Sequence, residues 1–290
     1  QETLIADQLR ILENMEIEDD YPDADDDIGE EPRRVRVVQP ARPSQSKHRV
    51  EKTNKFQGLV ESDFKTNPAG TSWRARDSLG GLLAKRLHQL TGMPFESRPA
   101  NRRCQVYVQE LFRIKKDGAP PHTAKFTLWL DDTCAYHGFY IEKSHERLDI
   151  TWDWTRFTLA LATQGELWQQ MMAAMREHNL QWQADIIDQA TRQIVTTYYI
   201  RTTAEGLTLT EGDGAPKAID QAGFAGWIDH LPADSWCDFY LYQRLSPQQA
   251  IGMRVGLADH VAKVWQALLP LYEASIRRGT PSGSASPSGR

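Results

Sequence analysis

Hydrophobic residues recur along the chain with two periods, one typical of helices and one typical of strands. Leucines repeat every three or four residues between Leu79 and Leu90, which predicts a helix that ends at Gly92. Gly80 and Gly81 weaken this helix, so close packing or close backbone approach is expected there.

Alternating polar and apolar residues follow this helix. They predict strands over residues 106–114, 125–130 and 136–142, and the short polar segment after Leu130 suits a hairpin loop between the last two. A helix followed by antiparallel strands predicts an α+β fold, with helices packed on an antiparallel sheet.

The second half of the chain has longer apolar stripes and is predicted to be mostly helical. A second hairpin is predicted to turn at Ala204–Gly206, and Ser246, Pro247 and Gln249 form the capping-box pattern of a helix start. In chain order we predict helices over residues 152–162 and 165–189, strands over 192–203 and 206–211, a helix over 219–231, a strand over 236–245 and a helix over 247–272.

Charge is strongly segregated along the sequence, although the net charge is only −5. Residues 1–32 contain 13 Asp and Glu but one Arg, whereas residues 33–125 contain 20 Lys and Arg but 7 Asp and Glu. The remaining residues, 126–290, carry a net charge of −6. An acidic segment and a basic segment in tandem favour a charged partner, or pairing with each other.

Composition predicts three parts. Residues 1–55 are expected to be a disordered tether, acidic and then basic, with a short helix possible near its start. Residues 56–275 are expected to form an α+β domain, or two subdomains that meet near residue 150. The Gly, Ser and Pro content of residues 276–290 predicts a flexible tail.

The three cysteines, Cys104, Cys134 and Cys237, are odd in number and widely spaced. This favours free thiols and a cytoplasmic location over a disulfide framework. No stretch reaches the roughly 20 apolar residues of a membrane-spanning helix, so no membrane partner is expected. Because the chain begins at Gln1, we expect it to be part of a longer polypeptide, with upstream domains or protein subunits as partners.

The stretch "CAYHGFYIEKSHERLD" is dense in potential metal ligands: Cys134 and His137 have C-x-x-H spacing, and His145 and Asp149 follow. Structural zinc normally needs a second such pair, which the sequence lacks. Alternation instead places Phe139 and Ile141 on the core face of a half-buried strand, so we predict no metal and no cofactor.

Metal-dependent hydrolysis has weak candidates in the same region. Asp131 and Asp132 end one predicted strand and Glu142 ends the next, as carboxylate ligands of Mg²⁺ in a nuclease would. Glu142 is directly followed by Lys143, which places the two on opposite faces. Surface charges at strand ends are therefore favoured, and the sequence does not decide whether the protein is an enzyme.

Cations cluster between residues 74 and 116, where they can line a phosphate backbone. The competing interpretation is a solvated face that pairs with the acidic segment. The candidate nucleic-acid-binding residues are Arg74, Arg76, Lys85, Arg86, Arg98, Arg102, Arg103, Arg113, Lys115 and Lys116.

Aromatic residues concentrate just after this basic region. Bases stack on such rings, although packing of the rings in the core is favoured. The weak base-stacking candidates are Trp129, Tyr140, Trp152 and Trp154.

Three functions follow from these patterns. The first is a nucleic-acid-binding or targeting module of a larger multidomain or multisubunit machine, which binds DNA or RNA through the basic residues 74–116. The second is a metal-dependent nuclease or hydrolase. The third is a protein-interaction or structural subunit.

Overall fold

The computed structural model describes residues 56–64, 73–99, 105–110, 123–143, 153–188, 190–204, 206–232 and 235–276. Within residues 73–78 and 98–99 it describes the backbone alone. The chain divides into residues 1–53 and residues 54–290. The predicted tether, and the predicted tail after Ile276, lie outside the described residues.

Nine strands of the described residues form one antiparallel sheet. They are β1 (Phe95–Pro99), β2 (Gln105–Glu110), β3 (Lys125–Leu130), β4 (Ala135–Lys143), β5 (Gln181–Ile187), β6 (Ile194–Thr203), β7 (Gly206–Glu211), β8 (Lys217–Ile219) and β9 (Trp236–Leu245). Their spatial order is β1-β2-β3-β4-β9-β5-β6-β7-β8. The last strand, β9, lies between β4 and β5 and so joins the two halves of the sheet.

Helices in the described residues are a short 3₁₀-helix, Glu61–Phe64, and seven α-helices. The α-helices are α1 (Trp73–Thr91), α2 (Asp153–Thr163), α3 (Gly165–Glu177), α4 (Gln221–Asp229), α5 (Pro247–Met253), α6 (Gly256–Ala267) and α7 (Leu269–Ser275). Together with the sheet they confirm the predicted α+β class.

The helices pack on one face of the sheet, which we term the helix-covered face. Phe126 of β3 stacks on Trp265 of α6, with ring centroids 5.4 Å apart. Trp182 of β5 stacks on Phe239 of β9 at 4.4 Å, and both are fully buried. Each large ring taken out of water stabilises the fold by roughly 2 kcal/mol, so this face contains the hydrophobic core.

Helix α1 packs closely against β1 and β2 on this face. A Cβ at Gly80 would lie 2.8 Å from Cγ1 of Val106 and 3.0 Å from the side chain of Ser97, whereas a Cβ at Gly81 would meet nothing within 4 Å. The expected close approach is confirmed at Gly80 and is wrong at Gly81. Gly92 ends the helix with a φ of 75°, which costs glycine little.

The prediction of one long helix over residues 165–189 is wrong in its second half. Helix α3 ends at Glu177, and Asn179 takes a left-handed φ of 50° before β5 begins at Gln181. Asn tolerates this conformation better than most residues, so the chain turns there and continues as a strand.

The single helix predicted from Pro247 to Tyr272 is also wrong, because the structure has three helices there. Arg254 separates α5 from α6 with a φ of 49°. Pro270 lies in the first turn of α7, where its missing N–H leaves no helical hydrogen bond unmade.

Several predicted elements are confirmed. The β3–β4 and β6–β7 hairpins form as expected, and β9 has the bounds that alternation predicted. The capping box is present at the start of α5. Ser246 Oγ accepts a hydrogen bond from Gln249 N at 3.2 Å, and Ser246 N donates to Gln249 Oε1 at 2.8 Å.

Removing this cap is expected to destabilise the protein modestly. Ser246→Ala should lower the free energy of unfolding by about 1 kcal/mol, because the first-turn amide loses its acceptor. Gln249→Ala retains the serine bond and should cost less. Urea denaturation of both variants is the measurement, and a larger loss in Gln249→Ala would contradict this ranking.

Candidate functional site

The opposite face of the sheet, which we term the open face, carries none of the described helices. Its side chains alternate with those of the core along each strand, and most are aromatic, charged or amide-bearing. Eight aromatic residues share this face: Tyr107, Trp129, Tyr136, Tyr140, Tyr199, Trp236, Tyr240 and Tyr242.

The rings near the centre of the open face form a continuous cluster. Trp129 and Tyr136 stack with centroids 4.7 Å apart and planes within 4° of parallel. Tyr140 and Tyr240 are also 4.7 Å apart, and Trp129 lies 5.1 Å from Tyr240. Tyr140 is 4% exposed, whereas the other three are half-buried. Solvent therefore reaches part of a packed aromatic surface.

Gly138 lies at the middle of this surface, opposite Thr127 on β3 and Tyr242 on β9. The backbone of β9 passes so close that a Cβ at this position would overlap the carbonyl oxygen of Leu241 and lie 2.7 Å from Cα of Tyr242. Glycine is therefore required here for the two central strands to pair.

Three carboxylates stand in register at one end of the open face, with Glu142 opposite Asp238 and Asp238 opposite Asp185. The Tyr140 hydroxyl oxygen lies 2.9 Å from Asp238 Oδ1 and 3.0 Å from Glu142 Oε2, so its single proton is shared between two carboxyl acceptors. Burial raises the pKa of Asp238, and the negative charge of Glu142 raises it further. Burial likewise raises the pKa of Asp185. This end of the face is acidic.

The other end of the open face holds a cavity of about 410 Å³. It is lined by Tyr136, Gln181, Gln183, Tyr199, Arg201, Thr210, Gly212, Asp213, Tyr242 and Arg244. Arg201 lies over the ring of Tyr199 and Arg244 over the ring of Tyr136, with 5.5 and 5.6 Å from Cζ to the ring centroid. Arg201 and Arg244 therefore border this end of the open face, which we term the basic end. The three carboxylates lie at the other, acidic end, where Lys125 Nζ is 3.5 Å from Glu142 Oε1 and Arg192 lies over the ring of Trp236.

A chain of hydrogen bonds fixes the floor of this cavity. Arg201 Nε donates to Gln181 Oε1 at 3.1 Å, and Gln181 Nε2 donates to the Tyr242 hydroxyl at 2.6 Å. That hydroxyl donates to Gln183 Oε1 at 2.7 Å. Burial raises the pKa of Tyr242 to about 12, so it keeps its proton at neutral pH and the floor stays ordered.

The ten cations predicted to bind nucleic acid do not all lie on this face. Lys85 and Arg86 belong to α1 on the helix-covered side, and Arg86 Nε lies 2.8 Å from Asp259 Oδ1. Arg98 is in register with Tyr107, a residue of the open face. Arg74 and Arg76 lie on α1 and are described by backbone alone. The candidates outside the described residues are Arg102, Arg103, Arg113, Lys115 and Lys116.

The base-stacking candidates also separate. Trp129 and Tyr140 lie on the open face, whereas Trp154 is 2% exposed and packs in the core against Phe239. Tyr140 and Trp154 therefore lie on opposite faces of the sheet and cannot hold the same base. Trp152 lies outside the described residues.

The structure does not bring the catalytic candidates together. Asp131 Oδ1 accepts hydrogen bonds from the backbone amides of Thr133 and Cys134, both at 2.8 Å, and so shapes the β3–β4 turn. Asp132 is exposed in the same turn. Glu142 lies near the far end of β4, about 20 Å away at the rise of a β-strand.

The strand prediction for "CAYHGFYIEKSHERLD" is confirmed over β4, where Phe139 and Ile141 are fully buried. His145 and Asp149 lie outside the described residues. Within the described part of the chain, no group of three His, Cys, Asp or Glu side chains is placed to hold a metal ion.

His137 is fully buried on the helix-covered face and meets His260 of α6 edge to face, with ring centroids 5.5 Å apart. Neither of its ring nitrogens has a hydrogen-bond partner. Its register partner Gln243 contacts His260 Nε2 through Oε1 at 2.6 Å and donates to the carbonyl of His178. Burial, and then repulsion from His260, lower the pKa of His137 to about 3, so the ring is neutral.

Sequence reasoning missed the cavity residues Arg201 and Arg244. A signal was present in β9, where Tyr240, Tyr242 and Arg244 alternate with the buried Phe239 and Leu241. A series of aromatic and cationic residues on the polar face of a strand indicates a binding surface rather than a face that is only solvated.

Comparison with known proteins gives no match: no protein-family model, curated protein or solved structure is detectably similar to this chain. None of the described helices combines the length and the apolar character that a membrane crossing needs.

Proposed function

We propose that the open face binds single-stranded nucleic acid. The observation that carries this proposal is the half-buried aromatic cluster around Trp129 and Tyr136, which lies beside Arg201 and Arg244 on the sheet face that none of the described helices covers. Single-stranded nucleic acids are commonly held by bases that stack on sheet aromatics while cations contact the phosphates.

The charge layout sets the direction in which phosphates would lie. Phosphates are attracted to Arg201 and Arg244 and repelled by the carboxylates of Asp185 and Asp238. A strand bound on this face therefore has a phosphate at the cavity end, with bases over the aromatic cluster. Binding through the basic residues 74–116 and membership of a larger machine stay predictions, and of those residues Lys85 and Arg86 lie on the helix-covered side.

Removing one stacking ring is expected to weaken binding. Trp129→Ala should lower the affinity for a 12-nucleotide single strand roughly tenfold, since stacking of one base is worth about 1–3 kcal/mol. Trp129→Phe keeps a stacking ring and should retain most of the affinity. The measurement is fluorescence anisotropy with labelled DNA and RNA strands in 50 mM salt, with a protein of residues 1–290 throughout.

Trp227→Ala is the matched control. Trp227 is another half-buried tryptophan, but it packs on the helix-covered face against Phe239 and Tyr198. Its loss should reduce stability without changing the affinity of the folded protein. Equal effects of the two alanine variants, or no binding of any strand at micromolar protein, would refute the proposal.

A further inference from the structure

The cavity at the basic end of the open face is partly open to solvent, and two exposed guanidinium groups, those of Arg201 and Arg244, border it. Neither Arg201 nor Arg244 forms an ion pair with a carboxylate of the described residues. Asp213, on the turn after β7, borders the cavity as well. These three side chains give the cavity a net charge of +1, so it is suited to an anion.

Arg201 is oriented before any ligand binds. Its Nε is committed to Gln181, which is in turn fixed by the Tyr242 hydroxyl. The two terminal nitrogens of Arg201 have no hydrogen-bond partner in the described residues and can form a bidentate pair with an oxyanion. A preorganised guanidinium loses less conformational entropy on binding than a free one.

Arg244 is positioned by contacts with two residues of the neighbouring part of the sheet, Tyr136 and Cys134. Its guanidinium lies over the ring of Tyr136, and Nη2 donates a long bond, 3.6 Å, to Cys134 Sγ. That contact raises the pKa of Arg244, so the group is charged at any physiological pH. Arg244 therefore faces the cavity from β9 while Arg201 faces it from β6.

Two guanidinium groups, each with a pair of parallel N–H donors that we term a fork, match a phosphate monoester better than a phosphodiester. A monoester carries a charge of about −1.5 to −2 at pH 7 and three free oxygens, whereas a phosphodiester inside a strand carries one charge. Each fork can take two oxygens in parallel hydrogen bonds. Arg201 and Arg244 together carry two positive charges, which Asp213 reduces to a net +1 for the cavity.

The size and lining of the cavity are suited to the terminal nucleotide of a bound strand. Its volume of about 410 Å³ lies in the range of small-molecule sites, roughly 300–1,000 Å³. Tyr136 and Tyr199 supply rings, while the carboxylate of Asp213 would repel a second phosphate on the turn side. The backbone of a bound strand can therefore continue in one direction only, toward the aromatic cluster.

We propose that this cavity is a subsite for the phosphorylated end of a nucleic-acid strand. The proposal rests on the proposed function of the open face and adds to it a preference for a terminal phosphate monoester. The 5′ and 3′ ends share this chemistry, so the experiment compares them.

The test uses a protein of residues 1–290 and 12-nucleotide strands of one sequence that carry a 5′-phosphate, a 3′-phosphate or hydroxyls at both ends. One phosphorylated strand should bind about tenfold more tightly than the hydroxyl strand. Arg201→Lys and Arg244→Lys keep the charge but lose the fork, and each should abolish most of that preference. Asp213→Asn should tighten binding of the phosphorylated strand.

Arg192→Gln is the matched control, because Arg192 also lies over an aromatic ring, that of Trp236, but at the acidic end of the face. It should leave the end preference unchanged. Equal affinity of all three strands, with binding still lost in Trp129→Ala, would overturn the subsite and leave the proposed function standing. No binding of any strand would refute the proposed function itself.

Discussion

Replacing Gly138 with alanine is expected to lower the free energy of unfolding by about 3 kcal/mol or more. The added methyl group would overlap the backbone carbonyl of Leu241 on the neighbouring strand, and backbone gives way less easily than the tip of a side chain. Overpacking usually costs about 1–3 kcal/mol. The upper end applies because β4 and β9 are central strands of the sheet.

Gly81→Ala is the control for this prediction. Gly81 is exposed on α1 and a Cβ there meets nothing within 4 Å, so alanine should stabilise the protein by about 0.5–1 kcal/mol through helix propensity. Urea titration followed by circular dichroism measures both variants. A Gly138→Ala variant within 0.5 kcal/mol of the parent protein would contradict the close approach of β9.

Acid is expected to destabilise the fold through His137. The folded protein holds the pKa of this histidine at about 3, whereas the unfolded chain has the ordinary value of about 6.5. Below pH 6.5 the unfolded state therefore binds a proton that the folded state does not. The stability present above pH 6.5 is lost at about 1.4 kcal/mol per pH unit, or about 3 kcal/mol by pH 4.

His137→Leu should remove this component of the pH dependence. The groups that face His137 are His260, Gln243 and His178, and they remain in the variant. The measurement is the change in unfolding free energy between pH 7 and pH 4. His88→Gln, at an exposed histidine of α1, should behave as the parent protein does. An identical pH dependence in His137→Leu would contradict a neutral, buried ring.

The alternation of polar and apolar residues was sufficient to predict the strands that have one core face and one polar face. In β3 every second residue is large and apolar, and in β9 Phe239, Leu241 and Leu245 follow the same alternation; the predicted and observed bounds of both strands agree. Strand β5 was missed because its first residues continue an amphipathic helix without a Gly or Pro between them. The alternation of Trp182, Ala184 and Ile186 with polar residues was nevertheless present.

The candidate site could not be predicted in the same way, because it depends on register between distant strands. Tyr136 and Arg244 are 108 residues apart in sequence but directly opposite one another across β4 and β9. Conversely, Lys85 and Arg98 are close in sequence, but Lys85 lies on α1 on the helix-covered side and Arg98 is in register with Tyr107 of the open face. Local patterns give the face on which a residue lies, and pairing decides which residues meet.

The position of β9 also determines when the protein can fold during synthesis. Strands β1 to β8 are complete by Ile219, but β4 and β5 cannot be bridged until residues 236–245 have left the ribosome. Until then each half-sheet exposes an unpaired inner edge, the feature that promotes association between chains. A chain that ends before Trp236 would therefore expose both inner edges permanently, so such fragments should aggregate or be degraded rather than accumulate as a shortened domain.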